Sequence, residues 1–387
     1  MKTSSEDTSA RELLASAQSY QPEMMGFIRT LVETESPSLE KAAVDRCGEL
    51  LAATFSQAGA RVKVHKRSDV GNIVQANFVP AMRSREKPIL LLGHFDTVWE
   101  SGTLHSMPCR EHRGRLYGPG VYDMKAGIAI ALYAVRAVAE NGGIDRPLTF
   151  LLNTDEEVHS DHSRELIEAT AKKCAAVLVF EPSADKGAVK TARKGVGEFN
   201  VKVTGVAAHA GLNFVAGANA LVELARQIER ISTFTDLKRG MTVSVGVARG
   251  GTRPNVVPAH AEAVVDARIA QTKDAKRLQK LFRGLKPINK KCKVEVSGGI
   301  NRMPLERKDG VIELYQKATK VAKDLGFKLD EAAVGGGSDG NFTAALGIPT
   351  LDGLGAVGDG AHAVHEHVVI SELPRRVALV AGLLRAI

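Results

Sequence analysis

The sequence has few cysteines and no long apolar run, and both absences narrow its class. The four cysteines are far apart and form no CxxC pair, which argues against a disulfide framework or a thiolate metal site and favours reduced thiols: Cys47, Cys109, Cys174 and Cys292. No segment approaches the ~20 apolar residues of a membrane span, and residues 1–20 contain no apolar signal-peptide core. We therefore expect a cytoplasmic protein with no membrane partner.

Sequence features of nucleic-acid and nucleotide binding are also missing. The 52 basic and 44 acidic residues give a net charge of +8, which favours acidic partners in general. However, the basic residues are scattered, without interleaved aromatics or zinc-finger spacing. The stretch "GPGVYDMKAG" at 118–127 lacks the GKS or GKT of a phosphate-binding loop. We expect no nucleic-acid or nucleotide partner.

The length and the apolar pattern predict the fold class. A chain of 387 residues exceeds the usual size of a single core, so two domains are expected. Apolar strands in "PILLLGHFDTV", "PLTFLLNTDEE" and "AAVLVFEPS" occur among predicted helices, including one at 38–59. This pattern is typical of an α/β domain with a mixed, largely parallel sheet flanked by helices.

From residue 196 onward the strands alternate polar and apolar residues. The predicted order β-α-β-β-α-β is that of a ferredoxin-like α+β domain. We therefore predict a first domain formed by 1–195 and 306–387, interrupted by a second domain at 196–305.

Polar residues follow the apolar strands of the predicted first domain. The carboxyl ends of parallel strands are where ligands bind in such sheets. The candidates at strand ends and in loops are His94, Asp96, Asp123, Glu156, Glu157, Glu181 and His362. Two histidines and several carboxylates form a nitrogen and oxygen ligand set that suits zinc, cobalt or manganese. A set of five ligands suits two metals that share a bridging carboxylate.

Each of these motifs has an ordinary interpretation as well. An isolated HxD motif or EE pair is more often a turn or a solvated rim, and Asp123 among glycines suits a turn. The convergence of all the segments at one sheet edge favours a site. Adjacent glutamates also allow one of them to bind metal while the other acts as general base.

The motifs together resemble one enzyme family. In order, they are "GHFDTV", "GPGVYDMKAG", "TDEE", "FEPS", "GVAAHAG", "PNVVPA", "GGGSDG" and "GAHAVHEHV". They resemble the co-catalytic zinc carboxypeptidases and amidohydrolases, which include glutamate carboxypeptidase, acetylornithine deacetylase, succinyl-diaminopimelate desuccinylase and aminoacylase. The likeness runs from about residue 20 and is strongest to the glutamate carboxypeptidase branch.

The resemblance implies a metal-ligand set. Asp123 would bridge two zinc ions, with cobalt or manganese as alternatives. His94 and Glu181 would complete one site, and Glu157 and His362 the other. His365 and His367 are rivals of His362, which we prefer because Glu366 follows it at the family's usual spacing.

The same resemblance implies catalytic roles. Glu156 would be the general base, and Asp96 would orient the imidazole of His94. His209 would stabilise the oxyanion, in some family members across a homodimer, and Asn255 would contact substrate from a lid. Met124 departs from the family branch, which often has an acidic residue there.

Further residues are candidates for binding substrate. Arg268 and Arg302 would grip a substrate carboxylate, for which a guanidinium is suited. The glycine-rich loop with Gly336, Gly337 and Ser338 would line the pocket.

The implied function is metal-dependent cleavage of an amide bond of a C-terminal or N-acylated amino acid, preferably of glutamate type. A peptide or N-acyl amino acid would be the substrate, and a homodimer the assembly. A deacylase of N-acetylornithine or succinyl-diaminopimelate type is an alternative. Two other classes also stay open, a non-catalytic binding protein and a serine hydrolase using Ser338 in a G-x-S-x-G motif, with Asp359 and His362 following in the chain.

Overall fold

A computed structural model of the protein describes residues 5–80 and 84–387, so residues 1–4 and 81–83 of the predicted first domain lie outside it. The helices are α1 (Ser5–Ser19), α2 (Gln21–Glu33), α3 (Lys41–Gln57), α4 (Ala126–Glu140), α5 (Arg164–Ala171), α6 (Ala220–Ser232), α7 (Thr272–Arg283), α8 (Asp309–Asp324), α9 (Gly340–Ala345) and α10 (Leu373–Ala386). The strands are β1 (Arg61–His65), β2 (Ile73–Phe78), β3 (Ile89–His94), β4 (Arg110–His112), β5 (Arg115–Tyr117), β6 (Leu148–Asn153), β7 (Ala176–Val179), β8 (Val189–Arg193), β9 (Gly195–Thr204), β10 (Ala208–His209), β11 (Thr242–Gly250), β12 (Val256–Val257), β13 (His260–Ile269), β14 (Lys293–Arg302), β15 (Glu331–Val334), β16 (Thr350–Leu351), β17 (Gly358–Asp359) and β18 (His367–Val369). No helix within the described ranges is long and apolar enough to cross a membrane.

The chain divides into two compact units. The first comprises Met1–Ala192, Arg307–Val334 and Ser338–Ile387, and the second comprises Arg193–Glu306 and Gly335–Gly337. The roles of catalytic domain and lid domain, which the sequence suggests for these parts of the chain, remain predictions.

The first unit contains a six-stranded sheet in the order β1-β2-β6-β3-β7-β16. Strands β6, β3, β7 and β16 run parallel, whereas β1 and β2 pair antiparallel at one edge. The predicted fold class, an α/β protein with a mixed, largely parallel sheet flanked by helices, is confirmed.

Both faces of this sheet are covered, which explains its uninterrupted apolar strands. In β3, Ile89 and Leu91 face the core that also contains residues of α2, α4 and α10. Leu90 and Leu92 face a separate core with Ile167 of α5 and Phe342 of α9.

Helix α3 begins later than the sequence pattern indicates. The sequence predicts a helix over 38–59, but the helix covers Lys41–Gln57. Ser38 instead donates its hydroxyl to Asp96 at 2.7 Å and its backbone N–H to Thr97 at 3.1 Å. Tertiary hydrogen bonds of Ser38 therefore replace the first predicted turn.

The second unit is built on a four-stranded antiparallel sheet in the order β11-β13-β9-β14. With α6 and α7, the chain follows the β-α-β-β-α-β order of a ferredoxin-like fold. Both helices contribute to one core, in which Phe199 of β9 stacks on Phe282 of α7 with ring centroids 3.8 Å apart.

A small antiparallel sheet in the first unit has the order β17-β18-β5-β4. Its pairing of His367 with Tyr117 fixes the loop that follows β5 against the segment that precedes β18. The loop that follows β5 contains Asp123, and the segment that precedes β18 contains His362.

Candidate metal centre and active site

Three parallel strands lead into the candidate site. In the register of the sheet, His94 at the end of β3 lies beside Asn153 at the end of β6, and Leu92 lies beside Val179 at the end of β7. The segments that follow β6 and β7 carry Glu157 and Glu181. The carboxyl ends of these strands therefore bring the candidate ligands to one edge, as expected for this type of sheet.

A first group of ligand atoms surrounds His94. Its Nε2 atom lies 3.3 Å from Oδ1 of Asp123 and 3.6 Å from Oε1 of Glu181. His94 and Glu181 are buried, and the ligand atoms of the three residues lie within 4.8 Å of one another.

A second group surrounds His362. Its Nε2 atom lies 3.5 Å from Oδ2 of Asp123 and 3.1 Å from Oε2 of Glu157. These ligand atoms also lie within 4.8 Å of one another. Asp123 belongs to both groups and turns a different oxygen toward each histidine, which is the arrangement of a bridging carboxylate.

The crowded charges shift the protonation of the site. Burial opposes ionisation of Asp123, but its contacts with His362 and His94 hold its pKa well below the usual range. Burial raises the pKa of Glu157 to about 7. The contacts with Asp123 and Glu157 raise the pKa of His362 to about 10. Burial disfavours the charge of His94, but its contacts with Asp123, Asp96 and Glu181 raise its pKa well above the usual value.

The residues fit two divalent cations. Among the described residues, none makes a hydrogen bond to the buried Oδ1 atom of Asp123. That oxygen faces Nε2 of His94 at 3.3 Å, and a buried anionic oxygen without a hydrogen bond is costly unless a cation, either an imidazolium or a metal ion, compensates it. The donor set contains only imidazole nitrogens and carboxylate oxygens, which suits zinc, cobalt or manganese.

Asp96 contacts several groups of the candidate site. Nδ1 of His94 lies 3.1 Å from the backbone oxygen and 3.3 Å from Oδ1 of Asp96. A proton on Nδ1 leaves the Nε2 lone pair for a metal. The carboxylate also accepts the backbone N–H groups of Glu156 at 3.3 Å and Glu157 at 3.2 Å. Asp96 thus holds a histidine and the turn that carries both glutamates.

Met124 packs directly under His94. Its sulfur accepts the backbone N–H of His94 at 3.4 Å, and the side chain is buried. Met124 stands where the family branch that the motifs resemble often has an acidic residue. It therefore supplies an apolar side chain on the buried side of the site.

The other two histidines of "HAVHEHV" lie elsewhere. His365 is exposed, with Nε2 3.9 Å from Asp359. The ring of His367 packs against Tyr117 at 5.1 Å, and its Nδ1 lies 2.8 Å from the backbone oxygen of His365. Among the described residues, His362 is the histidine of this segment that meets Asp123 and Glu157.

The glycine-rich loop is divided between the two units. In the second unit, the backbone oxygens of Gly336 and Gly337 accept hydrogen bonds from Arg193 at 3.3 and 3.1 Å. In the first unit, the buried hydroxyl of Ser338 donates to Asp352 at 2.5 Å. Ser338 is therefore engaged with a carboxylate.

The remaining predicted residues belong to the second unit. Strands β10 and β12 pair His209 with Val256, and the next residues, Ala210 and Asn255, are joined by a backbone hydrogen bond of 3.0 Å. Nδ1 of His209 accepts the backbone N–H groups of Gly211 and Leu212, both at 3.1 Å, so Nε2 carries the proton of the neutral ring.

The two predicted carboxylate-gripping arginines differ in their surroundings. Arg268 is half-buried and forms an ion pair with Asp266 at 2.8 Å. Arg302 is buried at the end of β14.

Three neighbours of the site were not assigned a role from the sequence. They are Ser38, which binds Asp96, and the pair Trp99 and Glu366, which are hydrogen-bonded at 2.8 Å. For Glu366, the sequence offered one signal of a role, which is its spacing from His362. That spacing did not indicate which atoms the Glu366 carboxylate contacts.

Comparison with known proteins gives a consistent result. The profile of a family described as Peptidase family M20/M25/M40 matches residues 90–386. The chain is 33% identical to carboxypeptidase G2 of Pseudomonas sp. (strain RS-16) over 381 residues, which cover 96% of this chain and 91% of that protein. It is 25% identical to acetylornithine deacetylase of Myxococcus xanthus over 358 residues, covering 85% and 88% of the two chains.

Solved structures share the fold. Aminopeptidase PepT of Bacillus cereus ATCC 10987 superposes with a TM-score of 0.74 at 20% identity, covering 95% of this chain and 98% of that one. The Bacillus subtilis YXEP protein, described as a dinuclear metal binding peptidase from the M20 family, gives a TM-score of 0.66 at 13% identity, with coverage of 95% and 98%.

Proposed function

Because the chain belongs to Peptidase family M20/M25/M40, a family of hydrolytic enzymes of the peptidase type, we propose that it cleaves the amide bond of a C-terminal or N-acylated amino acid. The observation that carries this proposal is Asp123, whose two oxygens face two separate histidines, each with a further carboxylate.

The two groups of residues would each hold one divalent cation. His94 and Glu181 would bind one cation and Glu157 and His362 the other, with Asp123 shared between them. Two bound cations would act as Lewis acids and lower the pKa of a bound water toward ~7. We propose zinc as the metal, with cobalt and manganese as alternatives.

Glu156 is the proposed general base. It would take a proton from the attacking water and pass that proton to the leaving nitrogen. Its backbone position is supported by the hydrogen bond to Asp96. Proton transfer by a positioned carboxylate contributes roughly 10²- to 10⁴-fold to rate.

The second unit would supply residues that contact substrate. His209 presents Nε2–H as a donor for the developing oxyanion. Asn255, on the neighbouring segment, would contact substrate as well. Arg268, which pairs with Asp266, and the buried Arg302 are both proposed to bind a substrate carboxylate. The lid role of this unit is part of the proposal.

A glutamate-type substrate is our preferred assignment. It rests on the resemblance of the motifs to the glutamate carboxypeptidase branch, and the carboxypeptidase type is supported by 33% identity to carboxypeptidase G2, against 25% to an acetylornithine deacetylase. A deacylase of N-acetylornithine or succinyl-diaminopimelate type is the alternative. The serine-hydrolase hypothesis is weakened because the Ser338 hydroxyl is buried and donates to Asp352.

We also propose a cytoplasmic homodimer. The thiols of all four cysteines are free, as suits a reducing compartment.

The proposed dimer is supported by the surface of the second unit. Leu212, Phe214 and Val215 are exposed there, and β11 forms an edge of its sheet. Exposed apolar side chains and an open strand edge are suited to pairing with a second copy. Sedimentation equilibrium tests this assembly.

The substrate is tested by a mass-spectrometric screen of the zinc-loaded protein against dipeptides and N-acyl amino acids. Release of a free amino acid, abolished by a chelator and restored by zinc, is the expected result. No release from any member of the panel by protein with two bound zinc ions would contradict the proposed reaction class, and release insensitive to chelation would contradict the metal mechanism.

A further inference from the structure

We infer that Glu366 is a positioning residue whose buried carboxylate fixes the backbone of the loop that carries Asp123. The inference rests on the proposed function, since it gives Asp123 the role of shared metal ligand. It adds a residue that touches neither the proposed metals nor the substrate.

The carboxylate of Glu366 accepts four hydrogen bonds. Its Oε1 atom accepts the backbone N–H groups of Tyr122 at 2.9 Å and Asp123 at 3.0 Å. Its Oε2 atom accepts the backbone N–H of Gly120 at 2.8 Å and the indole N–H of Trp99 at 2.8 Å. We call these five residues the Glu366 network.

The small sheet brings the network together. Strand β18 begins directly after Glu366, and its His367 pairs with Tyr117 at the end of β5. The backbone oxygen of Glu366 continues the pairing, accepting the N–H of Gly118 at 3.4 Å. This register places the carboxylate against the loop at 120–123.

The network joins the three segments that supply the shared ligand and both histidines. Trp99 lies five residues after His94, and Glu366 lies four residues after His362. The third segment contains Asp123 itself. A movement of any one segment is therefore transmitted to the others through a single buried carboxylate.

The donor pattern explains why a carboxylate occupies this position. Glu366 is fully buried, and burying a charge is costly unless hydrogen bonds compensate it. Each oxygen has two donors. A glutamine has the same size, but its one carbonyl oxygen satisfies one pair of donors, while its NH₂ group faces the other pair.

The chain offers a matched control in the second unit. Glu223 is also buried, and it accepts the backbone N–H groups of Ile288 and Asn289, both at 2.9 Å. Gln227 donates to the same carboxylate at 2.7 Å. Glu223 therefore holds a loop in the same way, but none of the proposed ligands lies in its unit.

The test compares Glu366→Gln and Glu223→Gln by chelator competition for zinc and by tryptophan emission. Trp99 is the single tryptophan of the chain, so emission reports directly on the network. We expect Glu366→Gln to weaken zinc binding by about 10- to 100-fold, as for other residues that orient metal ligands. Emission of its metal-free form should also shift, and Glu366→Asp should restore part of the affinity. Glu223→Gln should change neither signal.

Wild-type zinc affinity and emission in a folded Glu366→Gln protein would overturn the inference. If that variant does not fold, hydrogen exchange of the metal-free wild-type protein decides. The amides of Gly120, Tyr122 and Asp123 should be protected, and rapid exchange would overturn the inference. Failure of the proposed function appears separately, as wild-type protein that binds two zinc ions without hydrolysing any amide.

Discussion

The carboxylate of Asp96 accepts the backbone N–H of Glu157 at 3.2 Å. The same carboxylate contacts Nδ1 of His94 and accepts the backbone N–H of Glu156. One buried side chain therefore sets the position of a proposed ligand of each metal and of the proposed base.

Replacement of Asp96 by alanine should affect binding and catalysis together. Both turn amides lose their acceptor and the imidazole loses its carboxylate contact, keeping the backbone oxygen of residue 96, so we expect a loss of about 10- to 100-fold in metal affinity. Chelator competition measures the affinity, and saturating metal separates that loss from a further fall in kcat. Wild-type affinity and kcat would show that Asp96 does not position these groups.

Metal removal should lower stability as well as activity. Divalent cations would offset the clustered carboxylates, and a ligand that binds only the native state stabilises it by mass action. With free zinc at 100 times its dissociation constant, the gain is about 2.7 kcal/mol for each independent site. Thermal or urea unfolding with and without a chelator measures it. Equal stability in both conditions would contradict cation binding by the folded chain.

The stability of the second unit should depend on pH through Glu223. Burial disfavours its charge, but the N–H groups of Asn289 and Ile288 lower its pKa below the usual value. A depressed folded-state pKa stabilises the protein above the unfolded value near 4.5 and loses that effect as pH falls through the folded value. The destabilisation caused by Glu223→Gln should therefore shrink below about pH 4.5. Urea unfolding across pH 3–7 measures it, and a constant difference would contradict the assignment.

Lys125 should be a stability residue despite its place beside the site. Its buried ammonium donates to the backbone oxygens of Leu31 at 2.8 Å and Thr34 at 2.9 Å, at the end of α2. Burial lowers its pKa. We expect Lys125→Met to cost about 1–3 kcal/mol, because one buried and one part-buried acceptor lose their donor. Urea denaturation measures the cost, and a change below 0.5 kcal/mol, within the range of an ordinary surface substitution, would contradict this role.

The fold class was predictable because its physical signal is local. All six residues of β3 and all six of β6 are buried, so the apolar runs in the sequence correspond directly to a sheet covered on both faces. The antiparallel pairing of β1 and β2 at the sheet edge was not indicated, because their exposure pattern depends on which strand they meet.

The candidate ligands could also be predicted from the sequence, because the carboxyl ends of parallel strands lie at one edge of the sheet. Their chemical roles remain predictions. The hydrogen bonds that hold them were not predictable. Glu366 and Lys125 contact backbone atoms distant in sequence, and a lysine is ordinarily exposed. Such contacts form only when distant segments meet in the tertiary structure. Residue type and spacing do not indicate which backbone atoms a side chain will contact.

The central claim is tested most directly by Glu156→Gln, assayed for bound zinc and for hydrolysis of the substrate that the screen identifies. The account predicts two zinc ions per chain, as in the wild-type protein, and a rate reduced by roughly 10²- to 10⁴-fold, because the base is lost while the ligands remain. Hydrolysis at the wild-type rate with both zinc ions bound would contradict it.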